Sequence, residues 1–148
     1  MPLALAILAF HHGPRLRVPL PLVSAQVCAG FPSPADDHLE GEFDLNELFV
    51  RNPPATFLIR AAGESMSGPG AEIQDGDLLL VDRSVKARSG HIVIACLDGE
   101  NTVKRLRKAN NGRVWLEPEN AAFPKIEISP ERDFSVWGVV IARFRQYV

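Results

Sequence analysis

From Ala55 onward the chain is a succession of apolar runs cut short by turn residues, a texture that suits strands and leaves little room for long helices. Runs with strand character cover Thr56–Ala62, Leu78–Asp82, His91–Leu97, Thr102–Lys108, Arg113–Glu117, Lys125–Ile128 and Phe134–Phe144. Between them stand Gly68-Pro69-Gly70, Asp75-Gly76, Ser89-Gly90, Asp98-Gly99, Asn110-Asn111-Gly112 and Ser129-Pro130. Asp98-Gly99 and Asn111-Gly112 are the strongest of these signals, because their residues accept the positive φ that tight hairpins need. Seven short strands without intervening helices predict a mainly β domain of short, bent sheets.

Residues 1–54 read differently. Pro14, Pro19, Pro21, Pro32, Pro34, Pro53 and Pro54 interrupt every candidate element, and no sustained periodicity survives them. An extended N-terminal arm is therefore expected at 1–54, ahead of a β domain at 55–148. Within the arm, Glu42–Val50 fits either a short helix or an anchored extended segment, ended by Pro53-Pro54. Met1–Phe10 is apolar but has no basic leader, and it is shorter than the roughly 20 residues a bilayer span needs, so neither secretion nor a membrane anchor is expected.

The charge balance narrows the partners. Sixteen basic and 18 acidic residues give no strong pull on nucleic acid or anionic membrane. The two cysteines, Cys28 and Cys96, make no disulfide framework, and a reduced cytoplasmic setting is expected.

Two segments carry chemistry. In Thr102-Val103-Lys104-Arg105-Leu106, strand alternation puts Thr102, Lys104 and Leu106 on one face, with Arg105 and Arg107 on the other. If the arginines mark the wet face, Lys104 lies on the drier one. Burial disfavours an ammonium and lowers its pKa from about 10.4, and a neutral amine can accept a hydroxyl proton. The plainer reading makes Lys104 part of a solvated basic strand, Lys104-Arg105-Leu106-Arg107-Lys108. Ser65 lies in Gly63-Glu64-Ser65-Met66, where small neighbours let a substrate backbone approach and leave N–H groups for an oxyanion. Serine beside glycine is also ordinary turn composition. What separates the readings is the ordered set: Gly-x-Ser-Met, then Asp75-Gly76-Asp77 with an apolar strand, then Thr-Val-Lys.

That set, with Ala29-Gly30-Phe31-Pro32, Asp44-Leu45-Asn46-Glu47-Leu48, Gly90-His91-Ile92-Val93, Pro118-Glu119-Asn120 and Trp137-Gly138-Val139-Val140-Ile141, resembles the LexA-like (peptidase S24) self-cleaving family in its SOS-mutagenesis branch. The likeness runs from about Val27 to Ile141. The resemblance implies a LexA-like protease domain with Ser65 as nucleophile, Lys104 as general base and Ala29–Gly30 as the bond cut. It implies self-cleavage stimulated by a RecA-nucleoprotein filament during the DNA-damage response, with no cofactor. It further implies a homodimer, and a UmuC-type polymerase partner for the shortened chain in error-prone translesion synthesis. The loop between Ser65 and Asp75 is longer than usual for the family, around Ala71-Glu72, and residues 1–17 match little.

The proposed bond also suits cleavage on its own terms. Small residues on both sides let a strand thread close to a nucleophile, while Pro32 and Pro34 favour extended backbone. The 35 residues from Gly30 to Ser65 can span on the order of 120 Å, which permits cutting within one chain or across a dimer.

Other constellations are weaker. His11-His12 lacks a third metal ligand. Cys96, inside Ile92–Leu97, is expected to be a small buried hydrophobe and not a thiol nucleophile for His91. Gly68-Pro69-Gly70 lacks the Gly-Lys-Ser/Thr ending of a phosphate loop. Trp115, Trp137 and Phe144 are expected in cores or interfaces, since no basic stripe interleaves them. Three rival readings remain: a LexA-type repressor, which needs a helix-turn-helix; a signal-peptidase-like enzyme, which needs an anchor; and a polymerase accessory subunit without protease activity.

Overall fold

A computed structural model describes residues 17–23 and 39–148, in two compact units that divide between Arg51 and Asn52. In the first, β1 (Leu20–Val23) and β2 (Leu39–Phe43) form an antiparallel ribbon followed by a short helix, α1 (Leu45–Phe49). Pro21 sits inside β1, opposite Glu42. A two-stranded ribbon has open outer edges, where a missing N–H need not break the ladder. The prolines that argue against regular structure here therefore do not prevent it. The choice left open at Glu42–Val50 resolves into both alternatives, and Asp44 marks the change. Its backbone is extended, its Oδ1 accepts from Asn46 N–H at 2.8 Å and its Oδ2 from Val18 N–H at 2.7 Å. The Val18 bond, then the Asn46 bond, hold this carboxyl below the ordinary aspartate range.

The second unit opens with a 3-10 turn at Pro53–Ala55. Its strands are β3 (Thr56–Arg60), β4 (Leu78–Asp82), β5 (Ile92–Leu97), β6 (Glu100–Lys108), β7 (Val114–Glu117), β8 (Ile126–Ile128) and β9 (Phe134–Phe144). They make one sheet in the order β3-β4-β9-β5-β6-β7-β8, antiparallel throughout. The mainly β expectation holds. β6 begins two residues earlier than the sequence suggests, because Asp98 (φ 50) and Gly99 (φ 83) close a two-residue turn that pairs Leu97 with Glu100.

β5 lies inside the sheet and is covered on both faces. Ile94 packs with Ala61, Met66, Leu79 and Val81, while Val93, Ala95 and Leu97 pack with Leu106, Leu116 and Val139. This two-sided burial explains why β4 and β5 read as unbroken apolar runs instead of alternating ones. Leu79, Leu106 and Leu116 have no exposed surface, each burial contributing about 2 kcal/mol.

β9 is the long strand that joins the two halves of the sheet. Its register slips once against β4, at Leu80/Val81, and once against β5, at Ile94/Ala95. Such bulges bend a strand and raise its twist. Gly138 sits at one slip because a Cβ there would stand 2.5 Å from Val81 Cγ1. Its neighbour Trp137 stacks against Phe57 at 5.3 Å and takes Arg83 over its ring at 4.7 Å.

Candidate active site

Lys104 lies in the middle of β6, opposite Val93 on β5. The strand turns Leu106 into the core and leaves Arg105 and Arg107 facing Glu119 and Glu117. Lys104 is only 8% exposed. Its Nζ donates to Ser65 Oγ at 2.8 Å, to Thr102 Oγ1 at 2.8 Å and to Val103 O at 3.0 Å. No carboxylate pairs with it among the described residues. Burial therefore acts unopposed and pushes its pKa down. The three contacts also suit an uncharged amine. Two N–H groups can go to Thr102 and Val103, leaving the lone pair for the Ser65 hydroxyl.

Ser65 belongs to the connection between β3 and β4, a loop pinned at several points. Met66, the next residue, is buried in the core. Gly63, at φ 85, donates its N–H to Asp75 Oδ1 at 2.8 Å. The Ser65 carbonyl accepts from the N–H groups of both Glu119 and Asn120, each at 3.0 Å. The Asn120 amide donates to Glu64 O at 3.1 Å and to Ser67 Oγ at 3.2 Å. At the base of the loop, Ala61 N–H donates to Asp77 O, and the buried Asp77 carboxylate takes two bonds of 2.6 Å from Arg145. The Arg145 bonds hold Asp77 below the ordinary aspartate range. The long stretch around Ala71-Glu72 is absorbed by Glu72 at φ 51, whose carbonyl Arg145 also holds, at 3.1 Å.

Beside Ser65 runs an apolar cleft of about 100 Å³. Ile59, Ile73 and Ile94 give it apolar walls, and Ala61, Ala62 and Gly63 leave one side without bulky groups. Among the described residues no acceptor takes the N–H of Ser65 or Met66. The arrangement can abstract a proton from a serine, admit a small side chain next to it and offer N–H groups to a developing negative charge.

The remaining expected residues fall elsewhere. Cys28, Ala29, Gly30 and His11-His12 lie outside the described residues. Cys96 differs from expectation: it is half-exposed, and its thiol donates at 2.8 Å to Oδ1 of Asn101, its cross-strand partner on β6. His91 accepts Arg88 N–H at 3.3 Å, a turn contact. No described group of three or more His, Cys, Asp or Glu could hold a metal ion, and no described helix is long and apolar enough to cross a membrane. The residues missed in the sequence are Arg105, Glu119 and Asn120. Pro118-Glu119-Asn120 helps carry the resemblance, but nothing in its composition says that it reaches Glu64, 56 positions away.

A buried lysine set against a loop serine on an antiparallel β scaffold is the arrangement that fold and geometry define. Comparison with known proteins gives it a family. The Peptidase S24-like profile matches residues 21–141. Protein SamA of Salmonella typhimurium is 47% identical over 122 residues, covering 82% of each chain. Protein MucA of the same species is 43% identical over 122 residues, 82% of this chain and 81% of its own. The LexA repressor of Delftia acidovorans is 40% identical over 126 residues, 85% of this chain and 54% of its own. The chain belongs to the Peptidase S24-like family.

Proposed function

We propose that this protein is a UmuD-like, self-cleaving serine protease in which Ser65 is the nucleophile and Lys104 the general base. The observation that carries the reading is the 2.8 Å contact between Ser65 Oγ and the amine of a buried lysine that has no acidic partner among the described residues. Neutral Lys104 takes the Ser65 proton as Oγ attacks the carbonyl carbon of Ala29. The N–H groups of Ser65 and Met66, which meet no acceptor among the described residues, stabilise the resulting oxyanion. Lys104 then returns the proton to the Gly30 nitrogen as the peptide bond breaks, leaving residues 1–29 as an ester on Ser65. Water attacks that ester with the same amine as base, releasing the carboxylate and restoring the serine. Each chain cuts once, because the substrate is tethered and consumed.

The cleft beside Ser65 has room for the Ala29 methyl group, which is compatible with the choice of bond. Residues 1–54 act as the arm that presents the bond, and residues 55–148 as the catalytic domain. The division between Arg51 and Asn52 supports that boundary. The biological reading follows the relatives. A RecA-nucleoprotein filament favours the docked arm by population shift. The cut chain, a homodimer, joins a UmuC-type polymerase subunit for SOS mutagenesis in the cytoplasm. Purified full chain, incubated with and without an activated RecA filament and followed by mass spectrometry, tests this. The expected product begins at Gly30 and forms faster with the filament; an intact chain after prolonged incubation with it would overturn the reading.

A further inference from the structure

The Ser65–Lys104 contact joins two elements that the sheet itself does not hold in register. Lys104 is fixed by the β5–β6 ladder, whereas Ser65 sits on a loop outside any ladder. A third element ties them together. In the connection from β7 to β8, the N–H groups of Glu119 and Asn120 converge on the Ser65 carbonyl at 3.0 Å each, and the Asn120 amide bonds the residues on both sides of Ser65, at Glu64 O and Ser67 Oγ. Asn120 has no freedom left, because its Oδ1 accepts Ala122 N–H at 3.0 Å and its carbonyl accepts Phe123 N–H at 3.1 Å. Glu119 in turn is ion-paired to Arg105, which follows Lys104 on β6 and also donates to Gly90 O at 2.6 Å. Both side chains of that pair are largely shielded, at 17% and 14% exposure. Gly68 permits the close approach: a Cβ there would stand 1.9 Å from Glu119 O.

We infer that Arg105, Glu119 and Asn120 form a positioning bracket that sets the reach between the Ser65 hydroxyl and the Lys104 amine, with Asn120 as its key. None of the three touches the reacting atoms. The bracket runs from the strand carrying the base, through an ion pair, to the backbone of the residue carrying the nucleophile. Its effect is on geometry, since it leaves the burial of Lys104 to the sheet and to Thr102. This rests on the Ser65–Lys104 reading given above.

The sharpest probe is Asn120→Asp, which has the same shape and keeps the acceptor for Ala122 N–H but loses the donors to Glu64 and Ser67. Self-conversion of the full chain is followed across pH 7–11 for wild type, Ser65→Ala, Asn120→Asp and Ser67→Ala, with thermal midpoints for each. Amide hydrogen exchange is read in parallel at residues 63–68 and in β5 and β6. Asn120→Asp should lose on the order of tenfold to a hundredfold in the limiting rate at high pH, as small misplacements of reacting groups do. The midpoint pH of the Ser67→Ala profile, where no charge is added, should stay at the wild-type value, and exchange in Asn120→Asp should quicken in 63–68 only. Ser67→Ala, a milder change that removes one of the two acceptors, should move the same readouts less. A wild-type rate in Asn120→Asp overturns the bracket alone. So does a loss accompanied by faster exchange in β5 and β6, or an upward-moved midpoint pH in the uncharged Ser67→Ala, which marks general loosening. If Asn120→Asp does not fold, an unaltered rate in Ser67→Ala overturns it instead. A wild type that fails to convert, or a Ser65→Ala that converts, sinks the serine–lysine reading and the bracket's role with it.

Discussion

Lys104 and Ser65 face each other across 2.8 Å, yet they are held in opposite ways. Lys104 inherits its place from a strand: register against Val93 and alternation with buried Leu106 decide where it points. Ser65 is placed by contacts gathered from distant parts of the chain, from Asp75 in its own loop to Glu119 and Asn120 far along the sequence. The comparison separates two kinds of fragility. Away from the two reacting residues, damage to the strand side should appear first as lost stability, and damage to the loop side as lost rate.

The largest effects should come from the two residues themselves. Ser65→Ala is expected to abolish self-conversion with little change in thermal midpoint. Lys104→Met should slow it by on the order of 10²–10⁴-fold, the usual contribution of a general base. Because Lys104→Met removes a desolvated amine that has no counter-ion among the described residues, its thermal midpoint should equal or exceed that of wild type. Conversion by either variant at the wild-type rate in a mass-spectrometric time course removes that residue from the mechanism.

Two glycine substitutions sharpen the contrast. Gly68→Ala forces a Cβ against Glu119 O and should reduce the rate on the order of 10²-fold through displacement of the serine loop. Gly138→Ala forces one against Val81 in the sheet and should destabilise by about 1–3 kcal/mol, leaving the rate of the folded fraction near normal. If calorimetry and rate measurements give the reverse assignment, the division between strand and loop does not hold.

Arg145→Ala comes next. It strips the buried Asp77 carboxylate of two charged bonds and should destabilise by about 2 kcal/mol in urea unfolding at neutral pH. The folded Asp77 pKa is lowered, so its contribution is present above the ordinary value of 3.8 and fades as pH falls below it. Arg145→Ala should flatten that acid-side slope.

The smallest effect concerns Lys104 and alkaline pH. Its folded pKa lies below 10.5, so between the two values the unfolded chain binds more protons and stability should rise with pH, by at most about 1.4 kcal/mol per unit. The conversion rate should rise as pH climbs to the lowered Lys104 pKa and level off above it, where stability is still rising. A stability profile that is no steeper than that of Lys104→Met would contradict the assigned burial.

How much of this was legible in the sequence follows the same division. The strands were readable because β propensity and turn chemistry agree along them, as at Asp98-Gly99, and alternation alone put Lys104 with Leu106. Asn120 was not readable as a partner of Ser65, because a contact bridging 56 positions leaves no local pattern. The ribbon of β1 and β2 was hidden for another reason. Prolines weigh against strands in general, and only the open edge of a two-stranded pair tolerates them. Cys96 is not readable as half-exposed, because an apolar run does not show where along a strand face the core ends.

The two-residue turn at Asp98-Gly99 has one more consequence. From Leu97 to Lys104 the chain runs without slack, so a single inserted or deleted residue would rotate β6 by half a period. Val103 or Arg105 would then stand where the amine is now. Length in this hairpin is therefore constrained as tightly as Gly99 and Lys104 themselves: a changed residue count would displace the amine as surely as a substitution would remove it.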